Sequence, residues 1–238
     1  MKFHILTIAS FLSGLSSAAA TALAARAALT QVTNFGNNPT GLRMFIYVPG
    51  AVIRSPGIIV SLHGASGNAQ QQFQDTPYAT LGEQYGFITI YPESPPGPWD
   101  ATSAKSILHD GGGDSQSIAN MVKYAIATYG ADTNKVTHWP ELIPISSKQQ
   151  SSTRQVLELY LGSKDTVIGS AAFNTTLAAW APVFGYDTTP DEVLTNNPVQ
   201  GWTKYVLGDK LQGIWALNVG HPVFTQGGED MKWFGFAA

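Results

Sequence analysis

The 238-residue sequence contains no cysteine and few charged residues. Without cysteine the chain forms no disulfide bond and has none of the thiolate ligands that structural zinc sites use. Charged residues make up 12% of the chain, the formal net charge is −3, and no run of like charges occurs. Such a chain offers no basic patch to nucleic-acid phosphates or anionic lipids. The composition therefore predicts a neutral partner, and neither nucleic acid nor a membrane.

Motifs for metals and nucleotides are also missing. The five histidines and the carboxylates form no ligand-spaced cluster such as H-E-x-x-H. Gly111-Gly112-Gly113 lacks the Lys and Ser/Thr of a phosphate-binding loop, and G-x-G-x-x-G does not occur. We expect neither a metal ion nor an organic cofactor.

The first residues have the pattern of an export signal. Lys2 provides a positive start, Ile5 to Leu15 an apolar stretch, and Ser16 to Ala20 a region of small residues. We therefore expect a signal peptide over residues 1–20, secretion, and one monomeric domain over residues 21–238. In a secreted chain, Asn174-Thr175-Thr176 is a candidate N-glycosylation sequon, although so short a motif also occurs by chance.

Apolar runs alternate with helical patterns along the rest of the chain, as in a parallel sheet covered by helices. Strands are predicted at residues 42–48, 57–62, 87–91, 136–137, 155–160 and 213–218. Helices are predicted at residues 76–86, with Thr76 as the cap, at 114–130, with Asp114 as the cap, and around 177–184. The apolar tail 231–236 is expected to dock on the core.

Three groups of residues follow strand ends, where functional groups of open parallel sheets gather. His63-Gly64-Ala65 follows the second strand, and a Gly-rich turn there directs backbone N–H groups at a developing oxyanion, or is an ordinary turn. Asp165 and His221 follow two later strands in the Asp-then-His order of α/β-hydrolases. Taken singly, Asp165 is a turn residue and His221 a structural one. Their order favours a catalytic pair about as strongly as a structural one.

Several segments together resemble a known family, the fungal secreted acetylxylan esterases, which are related to feruloyl esterases and polyhydroxybutyrate depolymerases. The segments with this resemblance are residues 31–36, 38–41, 77–79, 83–87, 91–94, 99–100, 111–115, 117–122, 183–187, 211–214, 219–221 and 230–236. The resemblance implies a three-layer α/β-hydrolase sandwich with a mostly parallel sheet. It also implies removal of acetyl groups from xylan or a related plant polysaccharide by Ser, His and Asp.

By this resemblance Asp165 and His221 match the catalytic aspartate and histidine, and an oxyanion donor comes from the backbone near Ala65. Four positions depart from the family pattern: Ala65 and Pro98 replace cysteines, Leu161 replaces a histidine, and Pro222 replaces the residue after the catalytic histidine.

The nucleophile is the decisive departure. A serine in G-x-S-x-G is needed at a strained strand-to-helix turn, and this motif does not occur in the chain. In the family the motif follows a strand like Lys135-Val136, whereas here only His138 lies between Val136-Thr137 and Trp139-Pro140-Glu141-Leu142. We expect the fold to be truncated at this point, and the polar run Ser146 to Ser152 to be a solvated loop without a substitute nucleophile.

Three hypotheses stay open. The chain is an esterase of this family, a non-catalytic derivative that binds polysaccharide, or a sequence from which the exon for the nucleophile has been lost. Trp99, Trp202 and Trp215 offer flat faces to sugar rings in the second hypothesis, but core packing is the commoner use of large aromatic residues.

Overall fold

The computed structural model describes residues 28–64, 66–95, 99–100, 103–107, 110–138 and 156–237. The predicted signal peptide, Ala65, Pro98 and the serine-rich run 146–152 lie outside these residues. None of the helices in these ranges is long and apolar enough to cross a membrane.

The described ranges form two sheets and their covering helices. The strands are β1 (Thr30–Val32), β2 (Arg43–Tyr47), β3 (Ile58–Val60), β4 (Ile88–Glu93), β5 (Val136–His138), β6 (Leu157–Gly162), β7 (Glu192–Thr195), β8 (Thr203–Val206) and β9 (Leu211–Ala216). The helices are α1 (Ala69–Asp75), α2 (Tyr78–Tyr85), α3 (Ala104–Ile107), α4 (Asp114–Tyr129), α5 (Ala172–Phe184) and α6 (Gly227–Trp233).

The first sheet has the order β1-β2-β4-β3-β5 and the second the order β6-β9-β8-β7. The α/β-hydrolase-like class is confirmed, and the sheet divides between β5 and β6, at the predicted truncation. The expected mostly parallel pairing needs correction, because the described strands pair in both senses. Pairs β3–β4, β3–β5 and β6–β9 are parallel, whereas β1–β2, β2–β4, β7–β8 and β8–β9 are antiparallel. In the second sheet the reason is loop length, since β7, β8 and β9 follow one another through connections too short for a parallel crossover.

Both faces of the first sheet are covered, which explains why its central strands β3 and β4 are buried along their whole length. On β3, Ile58 and Val60 pack in the cluster that includes Ile118 and Met121 of α4, whereas Ile59 packs with Tyr78 of α2. Alternate side chains of a strand point to opposite faces, so this division gives the three-layer sandwich.

The second sheet has a separate core under α5. Phe173, Leu177 and Ala181 repeat at every fourth residue and form the buried stripe of this helix. They pack with leucines of β6 and β9. Gly213 allows the close approach, because a Cβ atom there would lie 2.6 Å from Leu177 Cδ1.

Two predicted helix ends are confirmed, and two predicted N-caps are wrong. Gly86 and Gly130 end α2 and α4 in the left-handed conformation, as the sequence indicates. Thr76 does not cap α2, because its hydroxyl donates to Gln72 O in the preceding helix α1, which the sequence analysis missed. Asp114 is the first residue of α4 rather than its cap, and it accepts a hydrogen bond from Asp100 N.

The apolar tail docks on the core as predicted. Met231 of α6 is fully buried in the cluster that contains Ile59 and Phe87. The Phe236 ring lies 4.7 Å from that of Phe87. The C-terminus thereby covers the face of the first sheet opposite α4.

Candidate active site

Strands β6 and β9 bring two loops together because they are parallel neighbours that end at the same level. Their register pairs Gly162 with Ala216, so the segments that follow leave the same edge of the sheet side by side. Two backbone hydrogen bonds tie them, from Ser163 N to Ala216 O and from Lys164 N to Val219 O. Asp165 lies in the first loop and His221 in the second.

Asp165 and His221 form a hydrogen-bonded pair. Nδ1 of His221 lies 3.0 Å from Oδ2 of Asp165. The Asp165 side chain is almost fully buried, whereas that of His221 is 32% exposed. The arrangement gives an inner carboxylate that orients a histidine with access to the solvent side.

The loop around Asp165 favours the ionised carboxylate. Burial opposes ionisation, but the backbone N–H of Ile168, the His221 ring and the backbone N–H of Val167 all donate to the carboxyl group. These donors outweigh burial, so the pKa of Asp165 is lowered from its ordinary value. An ionised Asp165 holds the His221 proton on Nδ1 and leaves Nε2 available as a base.

His63 supports the loop that follows β3. Its Nδ1 lies 2.8 Å from Gly64 O, and its Nε2 accepts from Ser94 N at 3.2 Å, which places the ring proton on Nδ1. Trp99 Nε1 donates to the His63 carbonyl, and the two rings lie 4.8 Å apart. Burial lowers the pKa of His63, so this histidine is neutral and serves to hold the loop in place.

A cavity of about 490 Å³ joins the predicted site residues. Its lining includes His63 and Gly64 from the β3 loop, Asp165 and His221, and residues of α1. Proximity to the pair is thus shown for His63 and Gly64, whereas Ala65 lies outside the described residues. An oxyanion role for this loop stays a prediction.

The glycosylation and sugar-binding candidates, and any metal-binding group, remain to be placed in the structure. Asn174 is exposed on α5, and its glycosylation stays a prediction. Trp99 is buried, and the Trp215 ring packs 5.2 Å from that of Phe173, so core packing is confirmed for both. Trp202 is half-buried. No group of three or more metal-ligating side chains occurs in the part of the chain that the structure describes.

Sequence reasoning missed several residues of the cavity lining, among them Gln72, Val167 and Phe224. Ser66 is exposed with φ of +63° between β3 and α1, and the hydrogen bond of His221 is to Asp165 rather than to this serine. The signal for α1 was Asn68, whose side chain accepts from Gln71 N as an N-cap.

The sheet topology, the Asp–His pair and the adjoining cavity define an α/β-hydrolase. Acetyl xylan esterase from Aspergillus awamori has the same fold, with a TM-score of 0.79, 37% identity, and coverage of 88% of this chain and 100% of that one. Acetylxylan esterase A from Aspergillus ficuum is 36% identical over 272 residues, which cover 88% of this chain and 90% of the relative. Probable acetylxylan esterase A from Aspergillus terreus is 38% identical, again over 88% of this chain.

The chain belongs to the acetylxylan esterase family. A family model described as esterase PHB depolymerase matches residues 42–140 and therefore ends where β5 has just been completed. The alignment with the Aspergillus ficuum protein is longer than this 238-residue chain, so that relative contains residues that this chain lacks.

We predict that Gly162→Ala displaces the His221 loop. A Cβ atom at this position would lie 2.2 Å from the backbone oxygen of Val219, so the loop must move away from β6. We expect a loss of about 1–3 kcal/mol in the free energy of unfolding, as for other overpacked sites, measured by urea denaturation. Gly228→Ala is the control, because nothing lies within 4 Å of a Cβ atom there. Equal stability of the two variants would contradict the prediction.

Proposed function

We propose that this chain is a secreted protein of the carboxylic ester hydrolase type, with a site built for deacetylation of xylan by a Ser-His-Asp mechanism, of which it contains Asp165 and His221. The observation that carries the proposal is the 3.0 Å hydrogen bond between Asp165 and His221 in the wall of the cavity. The names of the relatives support acetylated xylan as the substrate. Secretion is supported by the N-terminal sequence pattern.

In this mechanism His221 is the general base. Its Nδ1–H donates to Asp165, so Nε2 takes the proton of a serine hydroxyl that attacks the acetyl carbonyl. Asp165 stabilises the imidazolium that forms. Backbone N–H groups of the loop after His63 stabilise the negative oxygen of the tetrahedral intermediate. The same histidine then gives the proton to the departing sugar oxygen, and it afterwards activates the water that releases acetate from the acetylated serine.

Strand β5 supports the expected position of the nucleophile. It is parallel to β3, with His138 paired to Val60, so both strands end at the same edge of the sheet. A serine on a turn directly after β5 would therefore stand beside the loop of His63 and Gly64. The sequence has no G-x-S-x-G there. Of the three catalytic groups, the chain therefore contains the base His221 and its partner Asp165, but not the nucleophilic serine.

We predict that the purified chain hydrolyses p-nitrophenyl acetate no faster than its His221→Ala variant. The physical reason is that His221 has no activated serine from which to take a proton. Release of p-nitrophenol is followed for both proteins at equal concentration. A burst of product that depends on His221 would show that another group in the chain acts as the nucleophile.

We predict that a chimera regains esterase activity when the segment of the Aspergillus awamori relative that contains the G-x-S-x-G turn is inserted after Thr137. Its activity should fall by about 10²–10⁴-fold on His221→Ala, the usual contribution of a general base. Acetate release from acetylated xylan is the measurement. The matched control is the same chimera with the serine of the inserted G-x-S-x-G turn replaced by alanine. A folded chimera without His221-dependent acetate release would refute the proposed function. Sequencing the transcript across codons 130–160 would show whether the gene itself encodes such a segment.

A second candidate function, binding of polysaccharide without turnover, is favoured by an apolar rim at the mouth of the cavity. Val167 and Phe224 line the cavity and are 70% and 67% exposed. They follow Asp165 and His221 in the two loops that β6 and β9 hold together. An exposed aromatic ring beside aliphatic side chains is suited to the apolar face of a sugar ring.

We predict that the chain is retained on insoluble acetylated xylan and that Phe224→Ala weakens retention by about tenfold, equivalent to about 1.4 kcal/mol. Val193→Ala is the control, because Val193 is 52% exposed on β7 and does not line the cavity. A depletion assay with increasing xylan measures both. If the unmodified chain is not retained, the binding function is wrong.

A further inference from the structure

Two carboxyl groups are buried together behind the cavity wall. Glu158 of β6 is 3% exposed and Asp230 of α6 is fully buried. Tyr160, two residues after Glu158 on the same face of β6, donates to Asp230, and the two carboxyl groups interact electrostatically. Two ionised carboxylates repel, and burial keeps bulk solvent from screening them, so such a pair is stable when one of the two groups is protonated.

The hydrogen-bond partners show which group holds the proton. Both oxygens of Asp230 accept from tyrosines: Oδ1 from the Tyr160 hydroxyl at 2.9 Å and Oδ2 from the Tyr78 hydroxyl at 3.0 Å. Oε1 of Glu158 accepts from the amide of Gln212, whereas Oε2 is buried without a partner. A proton on Oε2 that is donated to Asp230 satisfies this atom and agrees with an ionised Asp230.

The charges around the pair do not neutralise a second negative charge. Lys204 of β8 is nearby but is ion-paired with Glu229 of α6. Glu229 itself repels negative charge at both carboxyl groups. Burial and the neighbouring Asp230 raise the pKa of Glu158 well above its ordinary value, and burial also raises that of Asp230.

We propose that Glu158 and Asp230 form a proton-binding site, in which one shared proton fastens helix α6 to the second sheet. This site is independent of the proposed ester hydrolysis. Asp230 of α6 also accepts hydrogen bonds from Tyr78 of α2 and Tyr160 of β6, so the site connects these three elements. Tyr160 lines the catalytic cavity, so the pair has a positioning role for that part of the wall.

The site makes stability depend on pH with a defined sign. Because the carboxyl pKa is higher in the folded than in the unfolded chain, the folded chain binds one more proton between the two values. The contribution is complete below the unfolded carboxyl pKa of about 4 and is lost as pH rises through the folded pKa. The lowered pKa values of Asp165 and His63 act in the opposite direction, since their contributions grow as pH rises.

We predict that Glu158→Gln removes the loss of stability that the pair causes as the pH rises. The glutamine amide has one acceptor for Gln212 and one donor for Asp230, as the protonated carboxyl group has, but it does not titrate. For the unmodified chain, the folding equilibrium constant should fall by up to about tenfold per pH unit within this range, the value for one proton. Urea unfolding is measured from the ordinary carboxyl pKa of about 4 up to just below the ordinary tyrosine pKa of about 10.

Glu83→Gln is the control, because Glu83 also accepts from a tyrosine, Tyr47, but lies outside the pair. It should keep the slope of the unmodified chain. An unchanged slope in Glu158→Gln relative to the unmodified chain would overturn the proposal.

Infrared difference spectroscopy tests the proton without unfolding the chain. The unmodified protein should show the carbonyl stretch of one protonated carboxylic acid at neutral pH, shifted on exchange into heavy water. Absence of this band in the folded protein would refute the shared proton, even if Glu158→Gln fails to fold. Its presence in the unmodified protein and loss in a folded Glu158→Gln variant would assign it to the pair.

Discussion

The parallel pairing of β6 with β9 is the constraint on which the site depends. The two strands are far apart in sequence, and only their alignment brings Asp165 within 3.0 Å of His221. Gly162 permits the following loops to touch, since its missing side chain leaves space for the Val219 carbonyl. The backbone of the first loop then donates to Asp165 and stabilises its charge. The second sheet alone therefore positions Asp165 and His221, which explains why this pair forms although the first sheet is truncated.

Buried polar contacts join the parts that apolar packing leaves separate. Each sheet has its own hydrophobic cluster, and no disulfide is available to link them. Asp230 accepts hydrogen bonds from Tyr78, which packs on the first sheet, and from Tyr160, which belongs to the second. Buried hydrogen bonds of this kind have defined directions, so they specify how the layers meet, whereas apolar contacts alone tolerate small shifts.

Much of the fold could be predicted because its elements have local signals. The helical stripe of α4 and the glycine ends of α2 and α4 depend on residues within a few positions of one another. The strands β1, β7 and β8 and the helices α1 and α3 were missed. Strand β7, for example, is exposed along its whole length and lacks an apolar alternation. The antiparallel pairing could not be predicted from single strands, since the sense of a pair depends on the partner and on the connection.

The sequence by itself determined the family, the order of Asp165 before His221, and the lack of a G-x-S-x-G serine, because each of these is a matter of residue identity and spacing. Tertiary structure decided which strand-end residues meet, that Trp99 packs against His63 rather than a ligand, and that Glu158 lies against Asp230. The physical reason is that burial and hydrogen-bond partners arise from contacts between residues far apart in the sequence, such as Asp165 and His221, which are separated by 56 positions. A sequence shows that a carboxyl group is present; the fold decides whether it is ionised.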